Sequence, residues 1–225
     1  MKKNIEEFLY GVCYYPEHWE KEIIEDDLKR IKEAGLNVIR MGEFAWSKYE
    51  PEEGVFNFDF LISAVELASK YDLKVILGTP TATPPAWLTK KYPETLAVNY
   101  QRQTMHHGSR QHVNHTSAKL RELSKRIVKK MAEEFKDYEN VIGWQIDNEL
   151  NCGIDLSYSN SDAEAFRSWL KNKYGSLEAL NKAWGNTFWS LEFTDWKQIS
   201  VPKPTPTKEN PSLLLDYRRF YSDMT

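Results

Sequence analysis

The stretch Asn140-Val141-Ile142-Gly143-Trp144-Gln145-Ile146-Asp147-Asn148-Glu149-Leu150 is an apolar run that ends in an acid, an amide and a second acid. Apolar residues bounded this way read as a buried strand that delivers polar groups at its C-terminal end. Parallel α/β sheets and barrels place their chemistry at that end. Glu149 is therefore the first candidate for a catalytic acid.

The same pattern recurs upstream. Tyr10-Gly11-Val12-Cys13-Tyr14-Tyr15 reads as a short strand stopped by Pro16, and Ile24, Leu28, Ile31 and Ala34 follow at helical spacing before Gly35. Asn37-Val38-Ile39-Arg40-Met41-Gly42 is a second strand. A loop with Pro51 and Gly54 leads to a helix with Leu61, Val65, Ala68 and Tyr71 on one face. Leu73-Lys74-Val75-Ile76-Leu77-Gly78 starts the cycle a third time. Its helix, with Leu120, Ile127, Met131 and Phe135 inward, begins near Ser117, which leaves roughly 38 residues between strand and helix. Loops beyond about 12 to 15 residues are uncommon and usually functional or disordered. This one carries Pro80, Pro84, Pro85, Trp87, Tyr92, His106, His107, Arg110 and His112, too aromatic for a disordered linker, and is expected to wall a pocket.

After the fourth strand, Ser161 with Glu164 reads as a capping box, followed by Phe166, Leu170 and Tyr174 and a stop at Gly175. A short helix over Leu177, Leu180 and Trp184, a proline-rich connector from Val201 to Pro211 and a last helix through Leu214, Tyr217 and Tyr221 complete the chain. Strands alternating with helices imply a parallel α/β sheet, either a small open fold or half of a (β/α)8 barrel. A closed barrel needs eight strands and typically ~250 residues. No fifth strand is evident here, so residues 1–225 are read as a single incomplete barrel domain: strands 1 to 4 and the helices that follow them.

The 30 basic and 33 acidic residues are interspersed and sum to -3, so there is no electrostatic footprint for nucleic acid or an anionic membrane. A neutral partner is expected. The charged start, Met1-Lys2-Lys3, lacks the apolar stretch of a signal peptide, and no uncharged run approaches the ~20 residues of a membrane span. A soluble, cytoplasmic protein is expected. Cys13 and Cys152 are expected to be free buried thiols. His106, His107, His112 and His115 come with no HExxH and no cysteine pair, so neither metal nor cofactor is expected. Motifs for serine hydrolases, dinucleotides and P-loops are absent.

Alternation along a strand would point Gln145, Asp147 and Glu149 one way and Ile146 and Asn148 the other, although it can relax at the strand end. A carboxyl beside an amide suits sugar chemistry. The carboxyl, its pKa raised by partial burial, protonates the leaving oxygen, while the amide bonds a ring hydroxyl in the transition state. Glu43, following the second strand, either faces the pocket or pairs with Arg40 or Arg110; Glu17 and His18 follow the first strand in a similar place. Arg110 could bind substrate hydroxyls, hold Glu149 ionised, or form a plain salt bridge. Several tryptophans fall in loops, where their rings can stack on sugar C–H faces or simply pack.

The chain resembles the N-terminal part of the glycoside hydrolase family 42 β-galactosidases. The matching stretches are Gly11-Val12-Cys13-Tyr14-Tyr15-Pro16-Glu17-His18-Trp19, Arg40-Met41-Gly42-Glu43-Phe44-Ala45-Trp46-Ser47, Thr81-Ala82-Thr83-Pro84-Pro85-Ala86-Trp87-Leu88, Gly108-Ser109-Arg110 and Trp144-Gln145-Ile146-Asp147-Asn148-Glu149. The resemblance implies a (β/α)8 barrel that hydrolyses terminal β-D-galactosides with retention. It makes Glu149 the general acid/base, Asn148 and Arg110 galactose or nucleophile contacts, and Trp189, in Phe188-Trp189-Ser190, an aromatic near the substrate.

Two departures from the family pattern stand out. Many members bind a structural zinc through four cysteines; here the first position falls at Asn114, and only Cys152 remains of the later cluster, near Ile154, Leu156 and Ser157. One thiol cannot make the tetrahedral site, so no zinc is expected. The family's nucleophile is a glutamate on a later strand, and neither it nor the later trimerisation domain has a counterpart here. Retaining hydrolysis needs both carboxyl groups. The chain alone is therefore expected to be inactive or nearly so. The alternative is a non-catalytic module whose open first and fourth strands pair with a second copy or a complementary half barrel.

Overall fold

The computed structural model describes residues 7–150, 152–207 and 210–224. Four strands, β1 (Gly11–Cys13), β2 (Val38–Met41), β3 (Lys74–Gly78) and β4 (Val141–Gln145), form one parallel sheet in chain order. The register runs Val12↔Ile39↔Val75, then Met41↔Leu77↔Trp144. Each connection carries at least one helix. These are α1 (Lys21–Glu33), then α2 (Trp46–Tyr49) with α3 (Asp59–Lys70), then α4 (Ala86–Lys91) with α5 (Ala118–Phe135). This is the α/β pattern of the first half of a (β/α)8 barrel. After β4 come α6 (Asn160–Tyr174), α7 (Leu177–Trp184) and α8 (Pro211–Met224), with no further strand among the described residues.

The described residues fall into two compact units. The first comprises the chain up to Lys91 and Leu123–Glu149; the second comprises Tyr92–Glu122 and the chain from Leu150 onward. In the first unit the period of two decides which strand side chains are buried. Ile39, Met41, Val75 and Leu77 are fully buried, together with Leu28, Leu61, Val65, Ile127 and Met131 from the helices. The alternate residues Arg40 and Ile76 are only partly buried. At the edges the pattern opens: all of β1 is exposed, as are Trp144 and, just past β4, Ile146. Cys13 and Cys152 are free as expected but exposed, not buried, and Cys13 owes this to its place on an edge strand. Among the described residues no helix is long and apolar enough to cross a membrane.

The second unit packs α6, α7 and α8 around Phe166, Leu170, Leu180, Trp184, Tyr217 and Phe220. The cap of α6 lies two residues before the expected one. Ser159 is the N-cap: its hydroxyl accepts from Asp162 N at 3.1 Å, and Asp162 Oδ2 accepts from Ser159 N at 2.7 Å. Asp162 is held in that role by Ser157 Oγ at 2.7 Å and Thr116 Oγ1 at 2.8 Å, while the hydroxyl of Ser161 accepts from Asn114 Nδ2 at 2.8 Å. The stop at Gly175 is as expected, with φ of 73°.

Asp216 of α8 ties the three helices together. It is buried and accepts from Lys173 at 2.5 Å and Tyr174 at 2.6 Å on α6, from Trp184 Nε1 at 2.9 Å on α7, and from Arg219 at 3.2 Å. Burial alone would raise its pKa, but the bonds from Lys173, Tyr174, Trp184 and Arg219 outweigh it and hold the carboxyl below its ordinary value. A depressed folded pKa contributes stability above the unfolded value of about 3.9, and that stability is lost as pH falls through the lower folded value. Asp216→Asn is expected to cost about 2 to 4 kcal/mol at pH 7, with the difference from wild type shrinking below about pH 4. Urea denaturation of both proteins at pH 7 and pH 3 checks this.

Candidate active site

Glu149 and Asn148 lie just past the C-terminal end of β4, on the rim where a barrel places its chemistry. Strand alternation does not reach them. Asp147 and Glu149 have left-handed backbones, with φ of 56° and 44°, so residues 146–150 form a tight turn and not a strand end. Non-glycine residues in that region each cost on the order of 1 to 3 kcal/mol and persist only when their surroundings hold them.

Several bonds hold this turn. Asp147 N donates to Thr79 Oγ1 at 2.7 Å, and Asp147 Oδ2 accepts from Thr81 Oγ1 at 2.5 Å. Its other oxygen accepts from Asn148 N at 2.6 Å. Gln145 Nε2 closes the underside, donating to Asp147 O at 2.8 Å and to Asn148 Oδ1 at 3.1 Å. Asn148 is buried and Glu149 is exposed, so the partial burial expected of the acid is not supplied by the described residues. The roles of Thr79, Thr81 and Asp147 were not read from the sequence. Thr81 stands in a recognised motif, but a partnership across 66 residues leaves no local signal.

Glu43 resolves to the ion pair with Arg40. Its side chain is fully buried, and Oε1 accepts from Arg40 Nε at 3.1 Å and Nη2 at 2.9 Å. Such an approach is possible because residue 78 is glycine. A Cβ there would lie 2.4 Å from Glu43 Cβ and 2.9 Å from its Cα. Both oxygens of Glu17 and Oε2 of Glu43 are buried without a hydrogen-bond partner among the described residues. Burial raises the Glu17 pKa, and the charge of Glu43 adds to the shift, against the opposing pull of its own backbone amide, His18 and Lys48. Burial, with Glu17 and Glu43, also pushes the Tyr49 phenol well above its ordinary value; its hydroxyl donates to Gly42 O at 3.0 Å.

In the second unit, Arg110 is exposed. His112 is buried, with Nδ1 2.9 Å from Ser109 O; that carbonyl can only accept, so Nδ1 carries the proton. Burial, and then His107, lower its pKa. Trp189 is 68% exposed, stacks on Phe188 at 4.9 Å, and with Ser190 takes a left-handed backbone, φ 59° and 56°. It lines a cavity of about 280 Å³ with Trp184, Phe188, Leu191, Thr205 and Asn210. Asn148 and Glu149 thus belong to the first unit, Arg110 and Trp189 to the second.

Zinc does not fit the residues present. Asn114 is buried, its Nδ2 donates to Ser159 Oγ at 2.9 Å and to Ser161 Oγ at 2.8 Å, and its Oδ1 accepts from Thr116 Oγ1 at 2.7 Å. The amide and hydroxyls are spent on one another, and the one nearby thiol, Cys152, is exposed.

The strained electrostatics at Glu17 give a signed expectation. An acid whose folded pKa is raised loses stability as pH climbs from its unfolded value, about 4.3, through the folded one. Glu17→Gln is therefore expected to be more stable than wild type at pH 8 and equal to it near pH 4, as measured by chemical denaturation at the two values.

Comparisons with known proteins bear on the family and the fold. The profile of the β-galactosidase family, glycoside hydrolase family 42, matches residues 13–225. A β-galactosidase from Thermus sp. is 46% identical over 216 residues, covering 96% of this chain and 34% of that protein. One from Clostridium cellulovorans is 45% identical, covering 95% and 32%. The chain thus spans about a third of the length of the curated relatives it matches. The crystal structure of a β-galactosidase from Marinomonas ef1 superposes with a TM-score of 0.94 at 44% identity, over 96% of this chain and 33% of that one. A β-amylase catalytic domain from Paenibacillus polymyxa superposes at 0.70 with 15% identity, covering 95% of this chain and 57% of that one, a likeness of fold alone. With the family profile running from β1 to the end of the chain, this protein belongs to the glycoside hydrolase family 42 β-galactosidases.

Proposed function

We propose that this chain is the acid/base-bearing half of a β-galactosidase barrel, residues 1–225 forming one incomplete catalytic domain that works in the cytoplasm on terminal β-D-galactosides. Glu149 is the general acid/base of a retaining reaction. It protonates the glycosidic oxygen as the nucleophile attacks, then deprotonates the water that releases the sugar. Asn148 hydrogen-bonds a ring hydroxyl, Arg110 contacts galactose or the nucleophile, and Trp189 offers its exposed ring to the sugar.

The observation that carries this reading is the position of Glu149, on a strained turn directly after the fourth strand of a family 42 barrel. The nucleophile has no counterpart in the chain, so the chain alone does not turn over. A second reading, a non-catalytic module, is favoured by one specific feature: β1 and β4 are edge strands, and the apolar side chains of Val12, Trp144 and Ile146 beside them are exposed. Strict monomer behaviour at high concentration would count against that module pairing with its own copy.

The test is hydrolysis of a chromogenic β-galactoside by the purified chain, alone and mixed with the downstream barrel segment of a relative. No turnover is expected alone, and restored turnover in the mixture should fall by at least about 10²-fold on Glu149→Gln. Turnover by the chain alone that Glu149→Gln abolishes would sink the proposed inactivity. Restored turnover indifferent to Glu149→Gln would sink the role given to Glu149.

A further inference from the structure

Asn148 sits between two non-glycine residues that both hold left-handed backbones. An aspartate tolerates that conformation when its short side chain bonds nearby backbone, and here Asp147 Oδ1 takes the Asn148 amide at 2.6 Å. The same turn is also gripped from outside. That grip comes from the segment after β3. Thr79 N donates to Gln145 O at 2.9 Å, extending the β3–β4 ladder by one step, and its hydroxyl accepts from Asp147 N at 2.7 Å. Thr81 completes the hold by donating its hydroxyl to Asp147 Oδ2 at 2.5 Å. It lies in a single 3-10 turn, Pro80–Ala82, whose first residue has its φ fixed by the proline ring.

We propose that Thr81 and Asp147 are positioning residues: the Thr81 hydroxyl locks the Asp147 carboxylate, which locks the Asn148 amide and so sets the direction in which Asn148 and Glu149 are presented. Both act through Asn148 and Glu149. Without the hydroxyl, the Asp147 side chain is free to rotate about χ1 and release the Asn148 amide. The backbone at Glu149 then relaxes out of its left-handed state. The chemical part of this inference rests on Glu149 being the acid/base; the structural part does not.

Two variants test it. Thr81→Val keeps the shape and removes the hydroxyl, and Thr81→Ser returns the hydroxyl. In the chain itself, Thr81→Val should speed amide hydrogen exchange at Asn148 by about tenfold or more while Gly143 and Trp144 stay within about twofold, and Thr81→Ser should restore slow exchange. In the mixture that restores galactoside turnover, Thr81→Val should lower kcat by about tenfold or more with KM little changed, and Thr81→Ser should recover it. The inference is overturned if Asn148 exchange does not change, if exchange rises along all of β4 in Thr81→Val, if Thr81→Ser fails to rescue, or if kcat stays at the wild-type value. Failure of the proposed function looks different: restored turnover is then insensitive to Glu149→Gln, while the exchange measurements still decide the positioning role.

Discussion

The rim of this sheet depends on how β3 pairs with β4. The ladder shifts by one residue between Val75 and Ile76, then runs Ile76↔Gly143, Leu77↔Trp144, Gly78↔Gln145. Without that shift, every later pair would be displaced by one residue and the facing side chains would swap sides of the sheet. With it, Gly78 stands opposite Gln145, and the chain after β3 is level with the chain after β4. The main-chain ladder gives out at Thr79, and side chains continue it: Thr79 and Thr81 on one side, Asp147 on the other. The catalytic candidates therefore sit on a turn held by two connections at once, which lets loops present reacting groups without losing geometry.

The same glycine serves the other side of the rim. Residue 78 lacks a side chain, so Glu43 can lie against β3 and reach Arg40. The Arg40 guanidinium pairs with Glu43, and the charge of Glu43 in turn acts on the buried carboxyl of Glu17. A buried pair broken on one side leaves a charge that costs about 3 to 5 kcal/mol. Burial and the charge of Glu43 push the pKa of Glu17 above its ordinary value. Packing against β3 thus fixes the electrostatics at the ends of β1 and β2.

Features carried by local periodicity were legible in the sequence. Apolar runs located all four strands, and recurring Leu61, Val65 and Ala68 or Ile127, Met131 and Phe135 marked the buried faces of α3 and α5. Features decided by partners far along the chain were not legible. Ser157, Ser159 and Ser161 alternate around the start of α6, and two of the registers offer an acid three residues on. Contacts from Thr116 and Asn114, more than forty residues upstream, select Ser159 with Asp162. The cysteines were read as buried because free thiols usually are, yet Cys13 lies on an exposed edge strand and Cys152 is exposed as well. Asp147 had only strand alternation to go on, and alternation ends where β4 turns into a left-handed bend.

The exposure of Glu149 bears on how the chemistry is divided along a family-length chain. A carboxylic acid that donates a proton near neutral pH needs its charged form disfavoured, and partial burial is the usual means. Here the turn, the threonine grip and the buried Asn148 are already formed, while the Glu149 side chain stands exposed. On the proposed reading, these strands supply orientation, and the remaining strands supply both the nucleophile and the walls that desolvate the acid. Orientation and enclosure would then come from different halves of one barrel. On that reading the exposed acid has neither a nucleophile to work with nor walls to exclude water, two separate gaps in the isolated half.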